Sequence, residues 1–437
     1  MTTRAPRMHE RTRVRMVFAS WWLAAASVAP HAQAQTLDAL QLTPGPQAEA
    51  PAEALGLAVE LARDQYQHRQ PGADAPADEQ LAVDLHHDWK PAAGWTLIWS
   101  DRLETVHDRT GVETRNALRE LALSRAFGDG FVDAGRVQWR NGVASGFNPT
   151  DYLKRGAAIA QTTQNPQTLR ENRLGTVMLR AQTFADWGSI QAGVMPDLAD
   201  HTSTSAIAPA WDRTNAHRAA LLRVAPRFDE RTSVDLLAYA RAGTSPQTGL
   251  NLTHLLGDAW VTYLEWSGGS GGALAGPGEA ALSAHWHNTL AAGATWTTPA
   301  GVVLTLERQY AGDALTPARW RAWQAALAAG SSAASLAAQL GAMRSARAAD
   351  QMPLTRDAWF MHAAWDDAFA VRDFDLAAIA RINATDRSRL WQLEAYWHLN
   401  DRNSLSLLLG GYDGAPYSEF GSMATRRFAQ VAWTAHF

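Results

Sequence analysis

Residues 391–399 read Trp-Gln-Leu-Glu-Ala-Tyr-Trp-His-Leu. Trp391, Leu393, Ala395, Trp397 and Leu399 alternate with Gln392, Glu394, Tyr396 and His398. Successive side chains of an extended strand point to opposite faces, so this stretch is a strand with one apolar face and one wet face. The pattern recurs upstream. Val177, Leu179 and Ala181 alternate with Met178, Arg180 and Gln182, and Val234, Leu236, Ala238 and Ala240 alternate with Asp235, Leu237, Tyr239 and Arg241. It also closes the chain, where Ala429, Val431, Trp433 and Ala435 lead by twos to Phe437.

Working outward, the period of two predicts strands near 94–105, 114–127, 131–140, 174–185, 188–195, 217–225, 233–242, 250–256, 259–266, 284–297, 302–310, 356–365, 370–382, 388–399, 404–412 and 425–437. The count is about 16. The connections are sorted. Phe127–Gly130, Ala185–Gly188, Thr298–Gly301, Asp366–Asp367 and Asn400–Asn403 are short turns. The alternate set is long or polar: 106–113, 141–173, 196–216, 243–249, 267–283, 311–355, 383–387 and 413–424. Short turns at one end and long loops at the other are the layout of a transmembrane antiparallel β-barrel, and a soluble sandwich has no reason to sort its loops this way. The fold expected is therefore all-β, a barrel spanning 94–437.

Composition agrees. The chain has 437 residues, 46% hydrophobic, and its mean hydropathy is −0.25. That excludes a polytopic helical membrane protein and allows a barrel, whose strands need apolar side chains only at every second position. There is no cysteine, which removes disulfides, Cys-ligated zinc and Cys nucleophiles. A sequence pI near 6.4 argues against a nucleic-acid partner. Many of the 19 tryptophans fall near strand ends, as interfacial girdles require.

The N-terminus reads as an address. Arg4, Arg7, Arg11, Arg13 and Arg15 precede the apolar run 16–28, and Ala32-Gln-Ala34 offers a cleavage site. Residues 1–34 are read as a signal peptide for the Sec route, because a twin-arginine pair is missing. Its removal takes five arginines and Glu10, so the net charge of −4 becomes −8. Residues 35–93, rich in Ala, Pro and acids, read as a periplasmic linker, with a short helix allowed around Ala52–His68.

By phase, the wet face presents Arg136, Arg140, Arg180, Arg223, Asp235, Arg241, Glu265, Glu307, Asp375, Arg381 and Glu394 to a lumen. Bases gather in the first half of the barrel and acids in the second, which would set up a transverse field. The loop 141–173 is long enough to be functional, and Asn148, Asp151, Lys154 and Arg155 are expected near a constriction. Residues 315–348 read as a helical hairpin, outside the mouth or covering it. Thr316 caps it, Pro317 opens it, Trp320, Trp323 and Leu327 form one stripe, and Leu336, Leu340 and Met343 form a second. His285 and His287 share a strand face but lack a third ligand, so no metal and no cofactor is expected. No G-x-S-x-G, H-E-x-x-H or phosphate loop occurs, and no catalytic residue is assigned.

The terminal strand, with Trp433 and Phe437, resembles the C-terminal signature of bacterial outer-membrane barrels. As a whole the chain resembles porin-like barrels of Gram-negative bacteria, and Asn148-Pro-Thr-Asp151 is similar to a segment of the alginate-export and substrate-specific porin type. The resemblance implies residence in the outer membrane, contact with outer-membrane lipid, recognition by the barrel assembly machinery, and diffusion of small polar or charged solutes. It leaves a homotrimer open. Export of an anionic polysaccharide is the second reading, and an outer-membrane enzyme or a structural barrel with a sealed lumen is the third.

Overall fold

The computed structural model describes residues 55–69, 77–203, 205–280, 282–330 and 333–437. The strands are β1 (Gly56–His68), β2 (Ala77–Ala92), β3 (Trp95–Asp108), β4 (Gly111–Phe127), β5 (Gly130–Val137), β6 (Thr176–Ala185), β7 (Gly188–Met195), β8 (Ala219–Pro226) and β9 (Thr232–Arg241). They continue as β10 (Gln247–Leu256), β11 (Trp260–Gly271), β12 (His285–Thr297), β13 (Val302–Ala311), β14 (Asp357–Trp365), β15 (Phe374–Asn383), β16 (Arg389–Asn400), β17 (Asn403–Asp413) and β18 (Thr425–His436). Each is antiparallel to its neighbours. β1 pairs with β18, Leu61 opposite Trp433, and the 18-stranded sheet closes on itself. A closed sheet leaves no row of unpaired backbone groups, the condition for strands to cross a membrane.

The count corrects the expectation of about 16. All sixteen strands read from the sequence are present, including the weak one at β10. The two additional strands come from 35–93, which had been read as a linker. Leu57, Val59 and Leu61 of β1 lie opposite Leu85, Val83 and Leu81 of β2, while Glu60, Ala62 and Asp64 turn to the other face. The alternation is real but muted, because the inward positions are alanines and acids. The helix allowed around Ala52–His68 is likewise β1 over its described part: pairing on both edges overrides alanine's helix propensity. Residues 1–54, with the proposed signal, lie outside the described residues.

The sorting of connections holds with one exception. β3 and β4 run on to a tight turn at 109–110 instead of a long polar loop over 106–113. Asp108 Oδ1 accepts from the amides of Thr110 and Gly111 and from the Thr110 hydroxyl, which closes that turn locally. The rims are called here the short-turn rim and the long-loop rim.

The outer face is mainly apolar, with the exposed Arg63–Glu79 pair of β1 and β2 as a charged exception. Leu179, Leu236, Leu306, Leu393, Leu407 and Val431 are all exposed, as lipid-facing positions must be. Indoles mark both edges of that belt. Trp95, Trp260, Trp397 and Trp433 lie toward the short-turn rim, and Trp260 stacks on Trp296 at 5.5 Å. Trp286, Trp359 and Trp391 lie toward the long-loop rim, and the Trp391 indole N–H reaches Asp413. The wet face turns inward.

The connection between β13 and β14 carries α3 (Pro317–Ala328) and α4 (Ala333–Ala349); the shorter helices α1 (Pro166–Glu171) and α2 (Trp211–Thr214) sit in earlier loops. Thr316 caps α3 by accepting from the Arg319 amide, as its position before Pro317 predicts. Trp320, Trp323 and Leu327 pack on Leu340 of α4 and on Leu315 and Leu354. Trp320 also donates to Asp386 and Trp323 to the Ala275 carbonyl, which ties the hairpin to the β15–β16 and β11–β12 loops. The hairpin is thereby held among the long loops, with Arg344 donating to the Glu419 carbonyl of the β17–β18 loop as a further tie.

The phase of the wall is directly testable. Leu306→Arg places a charge in the middle of the apolar belt and should destabilise the folded barrel in lipid vesicles by about 2–4 kcal/mol. The same change at Ser406, an inner-face residue that lines the cavity inside the barrel, should stay well below that. Urea unfolding in vesicles measures both, and equal effects would refute the assigned faces.

Candidate functional site

Residues 138–175, between β5 and β6, turn into the barrel. The inward-facing carboxylates hold them there. Glu265 accepts from the amides of Val143 (2.9 Å), Ala144 (3.0 Å) and Thr150 (2.7 Å), and from the Thr150 hydroxyl (2.9 Å). Glu307 accepts from the amides of Ser145 (2.9 Å) and Gly146 (3.0 Å), the Tyr263 hydroxyl (2.8 Å) and Gln309 (2.8 Å). Loop amides have no sheet partners, so two buried acids on β11 and β13 do the work of a strand. Glycine makes the approach feasible. A Cβ at Gly146 would stand 2.4 Å from the Phe360 ring, and Gly142 adopts φ +99° against Glu265.

Farther along, the loop reaches the far wall. Thr163 and Asn165 donate to Glu394 at 2.8 and 2.9 Å, the Gln164 amide donates to Gln392, and Thr162 donates to Asp64. The loop therefore bridges the lumen from β11 and β13 to β16 and β1. Asp151 and Arg173 form a two-bonded pair at 2.7 and 3.1 Å, both almost fully buried. Lys154 is buried, donates to the Asn148 carbonyl at 2.7 Å and lies 4.4 Å from the Phe147 ring. Burial pushes its ammonium down to about 8. Asn148 itself donates to Ala144 and Glu265. Of the residues expected near a constriction, Asn148, Asp151 and Lys154 are thus inside the barrel but used to hold the loop. Arg155 pairs instead with Asp350 of the peptide just beyond α4, at 3.0 Å.

The inserted loop separates two spaces. On the short-turn side is a cavity of about 280 Å³. Six carboxylates line it, Glu60, Glu104, Glu171, Asp366, Asp375 and Glu394, against one arginine, Arg102. Arg102 is itself held by Glu60 at 2.7 Å and Asp84 at 2.5 Å. Asp375 accepts from the Asp367 amide with one oxygen, while the other, also buried, lies 3.7 Å from the His398 ring nitrogen. Burial, and behind it the charges of Asp375 and Asp367, pushes the Asp366 carboxyl in the β14–β15 turn up to about 6. On the long-loop side is a small pocket of about 40 Å³, lined by Arg155, Arg213, Arg241 and His217 with no carboxylate among its lining residues.

The other wet-face residues occupy the inner wall in varied states. Arg136 is buried and donates to the carbonyls of Gly175, Leu118, Pro209 and Ala210. Arg180 pairs with Asp133 at 2.5 Å, and Arg223 pairs with Asp235 through two bonds. Arg381 donates to Gln309 and lies 3.7 Å from Glu419. Arg140 lies past the end of β5 and is exposed. The transverse field expected from bases on one half of the wall is therefore largely cancelled by local pairing. Glu60, Asp64, Arg102, Glu104 and Asp366 were not singled out. The first four lie on β1 and β3, with β1 hidden in the supposed linker, and Asp366 looked like an ordinary turn residue. The His285 and His287 rings lie 4.0 Å apart and engage backbone carbonyls. Among the described residues no group of three or more His, Asp or Glu side chains is placed to hold a metal ion.

No protein-family model matches the sequence, and no curated protein matches it. Solved structures match the fold over nearly the whole chain. The crystal structure of OccAB1 from Acinetobacter baumannii aligns with TM-score 0.55 and 9% identity, over 90% of this chain and 99% of that one. OccK8 (OprE) from Pseudomonas aeruginosa aligns with TM-score 0.53 and 7% identity, over 88% and 97%. OccK5 (OpdH) from the same organism aligns with TM-score 0.52 and 8% identity, over 88% and 98%. At these identities the likeness is one of fold, and the fold is that of the Occ-type outer-membrane porin barrels.

Proposed function

We propose that this barrel is an outer-membrane channel for the diffusion of small polar or charged solutes. The observation that carries the reading is the loop 138–175, drawn into the lumen by Glu265, Glu307 and Glu394 above an acid-lined cavity. A sealed structural barrel has no need of an inserted polar loop, and a cavity with six acids and one paired arginine is ill suited to an anionic polysaccharide. The half-buried Asp366 carboxylate on the cavity wall offers a docking point for a cationic group of a passing solute. In this reading the short-turn rim faces the periplasm, residues 1–34 direct secretion, Trp433 and Phe437 are read by the assembly machinery, and association into a homotrimer is an added proposal. The activity is passage rather than catalysis.

Planar-bilayer recording of the purified protein tests the channel directly. Stepwise conductance with cation preference in the reversal potential is expected. Complete silence, persisting after deletion of 315–350, would refute transport.

Two variants probe the parts. Glu265→Ala with Glu307→Ala leaves loop amides buried without acceptors, at about 1–3 kcal/mol for each group. Amide exchange over 143–150 should accelerate, and conductance should rise and become noisier. Unchanged exchange would show that the acids do not hold the loop.

The second variant concerns pH. Because Asp366 titrates near 6, it takes up a proton as pH falls from 7 to 5, and one negative charge leaves the cavity wall. The cation-to-anion permeability ratio should fall by up to about fourfold, because one charge across about 10 Å of water shifts a cation and an anion oppositely by about 0.4 kcal/mol each. Asp366→Asn should show the lower ratio at pH 7 and lose most of this dependence. A wild-type ratio flat across that window would refute the role given to Asp366.

A further inference from the structure

Where β13–β18 border the long loops, the outer wall carries a cluster of arginines. Outward positions follow the period of two without a register shift. On β13 they run Leu304, Leu306, Arg308; on β16, Leu393, Trp391, Arg389; on β18, Val431, Ala429, Arg427. Each arginine therefore stands at the edge of the apolar belt, Arg308 about 7 Å beyond Leu306 along its strand. A charge at midplane would be expensive there, while at the interface it costs little.

Two of these arginines, and Arg356 beside them, are held by aromatic rings. Arg308 lies 5.1 Å from the Trp359 ring, Arg427 5.4 Å from Trp391, and Arg356, just before β14, 5.6 Å from Tyr310. A ring against a guanidinium limits its motion, and each group keeps N–H donors beyond those that Asp357, Asp413 and the Gly312 and Arg426 carbonyls take. Arg308 also meets Asp357 at 2.5 Å, and Asp413 is shared by Arg427 at 2.9 Å and Arg389 at 3.8 Å. Three outward arginines against two aspartates, with Arg356 at the rim beside them, leave this flank positive. The Arg389 side chain is 61% exposed. Elsewhere along this rim outward charge is sparser, as in Arg63 of β1, matched by Glu79 of β2, and the exposed Arg218 just before β8.

We propose that the outward rim of β13–β18 is a binding site for phosphorylated lipid headgroups of the leaflet that the long-loop rim faces. Guanidinium forks match phosphate oxygens through paired N–H bonds, and the neighbouring indoles and apolar wall match the glycerol or sugar and acyl parts below. The placement favours a lipid over free phosphate, because the arginines sit at headgroup depth against lipid-facing strands, outside the lumen. The inference rests on the barrel being membrane-embedded, not on what it conducts.

The test uses the full barrel refolded in phosphatidylcholine vesicles with or without lipid A. Lipid A retained after detergent extraction is read by native mass spectrometry. Wild type should retain it. Arg308→Gln with Arg389→Gln and Arg427→Gln should lower its affinity about a hundredfold, at roughly fivefold per arginine. Arg389→Gln alone, at an exposed side chain, should lower it about fivefold and guards against a folding defect in the triple variant. Heat-modifiable migration and conductance in phosphatidylcholine alone should be unchanged, so a failed barrel is told apart from a failed site. Equal retention by wild type and variants would overturn the proposal. So would an equal loss in Arg125→Gln on the opposite rim, or full displacement of lipid A by inorganic phosphate.

Discussion

Everything in this molecule depends on the pairing of β1 with β18. A sheet in hydrocarbon cannot leave backbone N–H and C=O groups open, because each would lose several kcal/mol of hydration with no replacement. Closing eighteen strands removes both edges at once. The closure also fixes what the two faces must be. Outward positions become apolar because lipid is there. Inward positions are free to be polar, and every polar group placed there must find a partner. The ion pairs of the wall and the course of the inserted loop follow from that demand.

The loop 138–175 shows how the demand is met. Glu265, Glu307 and Glu394 would be poorly placed in an enclosed wall by themselves, and the loop amides would be poorly placed in an enclosed space by themselves. Brought together, each satisfies the other. Gly142 and Gly146 are needed where the loop backbone comes against Glu265 and Phe360. Arg173 and Asp151 then complete the loop's own interior. The hairpin α3–α4 adds a second hold, since the Gly156 amide donates to the Ala349 carbonyl and Arg155 meets Asp350. Hairpin and inserted loop are thereby one connected body.

Much of the fold was legible because lipid-facing strands repeat a simple rule. Period two, sorted turns and the terminal Trp433–Phe437 pattern lead to a closed barrel, and the Thr316–Pro317 start leads to the helical hairpin. What was not legible has a common cause. β1 was missed because alanine and acids on its inner face dilute the alternation that Leu57, Val59 and Leu61 carry. The inward course of the long loop was anticipated from its length alone. The acids that hold it are separated from it by about a hundred residues or more, and no local pattern links Glu265 to Val143. Side chains assigned to the lumen by phase do face inward along the strands, as with Asp235 and Glu307. Phase cannot tell which of them a partner will consume.

That last distinction governs selectivity. A charge that is fully paired within the wall exerts a short-range dipole and little net field on a solute. Arg180 with Asp133, Arg223 with Asp235, and Arg173 with Asp151 are of this kind. What remains after pairing is distributed along the barrel axis rather than across it. The pocket on the long-loop side keeps Arg213, Arg241 and His217, and the cavity on the short-turn side keeps most of its six acids. A transverse field would orient a solute as it passed. An axial sequence of unlike charges instead presents different partners in order, with the loop held by Glu265 and Glu307 as the divider between them. The same carboxylate chemistry thus serves two ends. Where loop donors cover it, it is structure, and where they leave it uncovered on the cavity wall, as at Asp366, it is available to a solute.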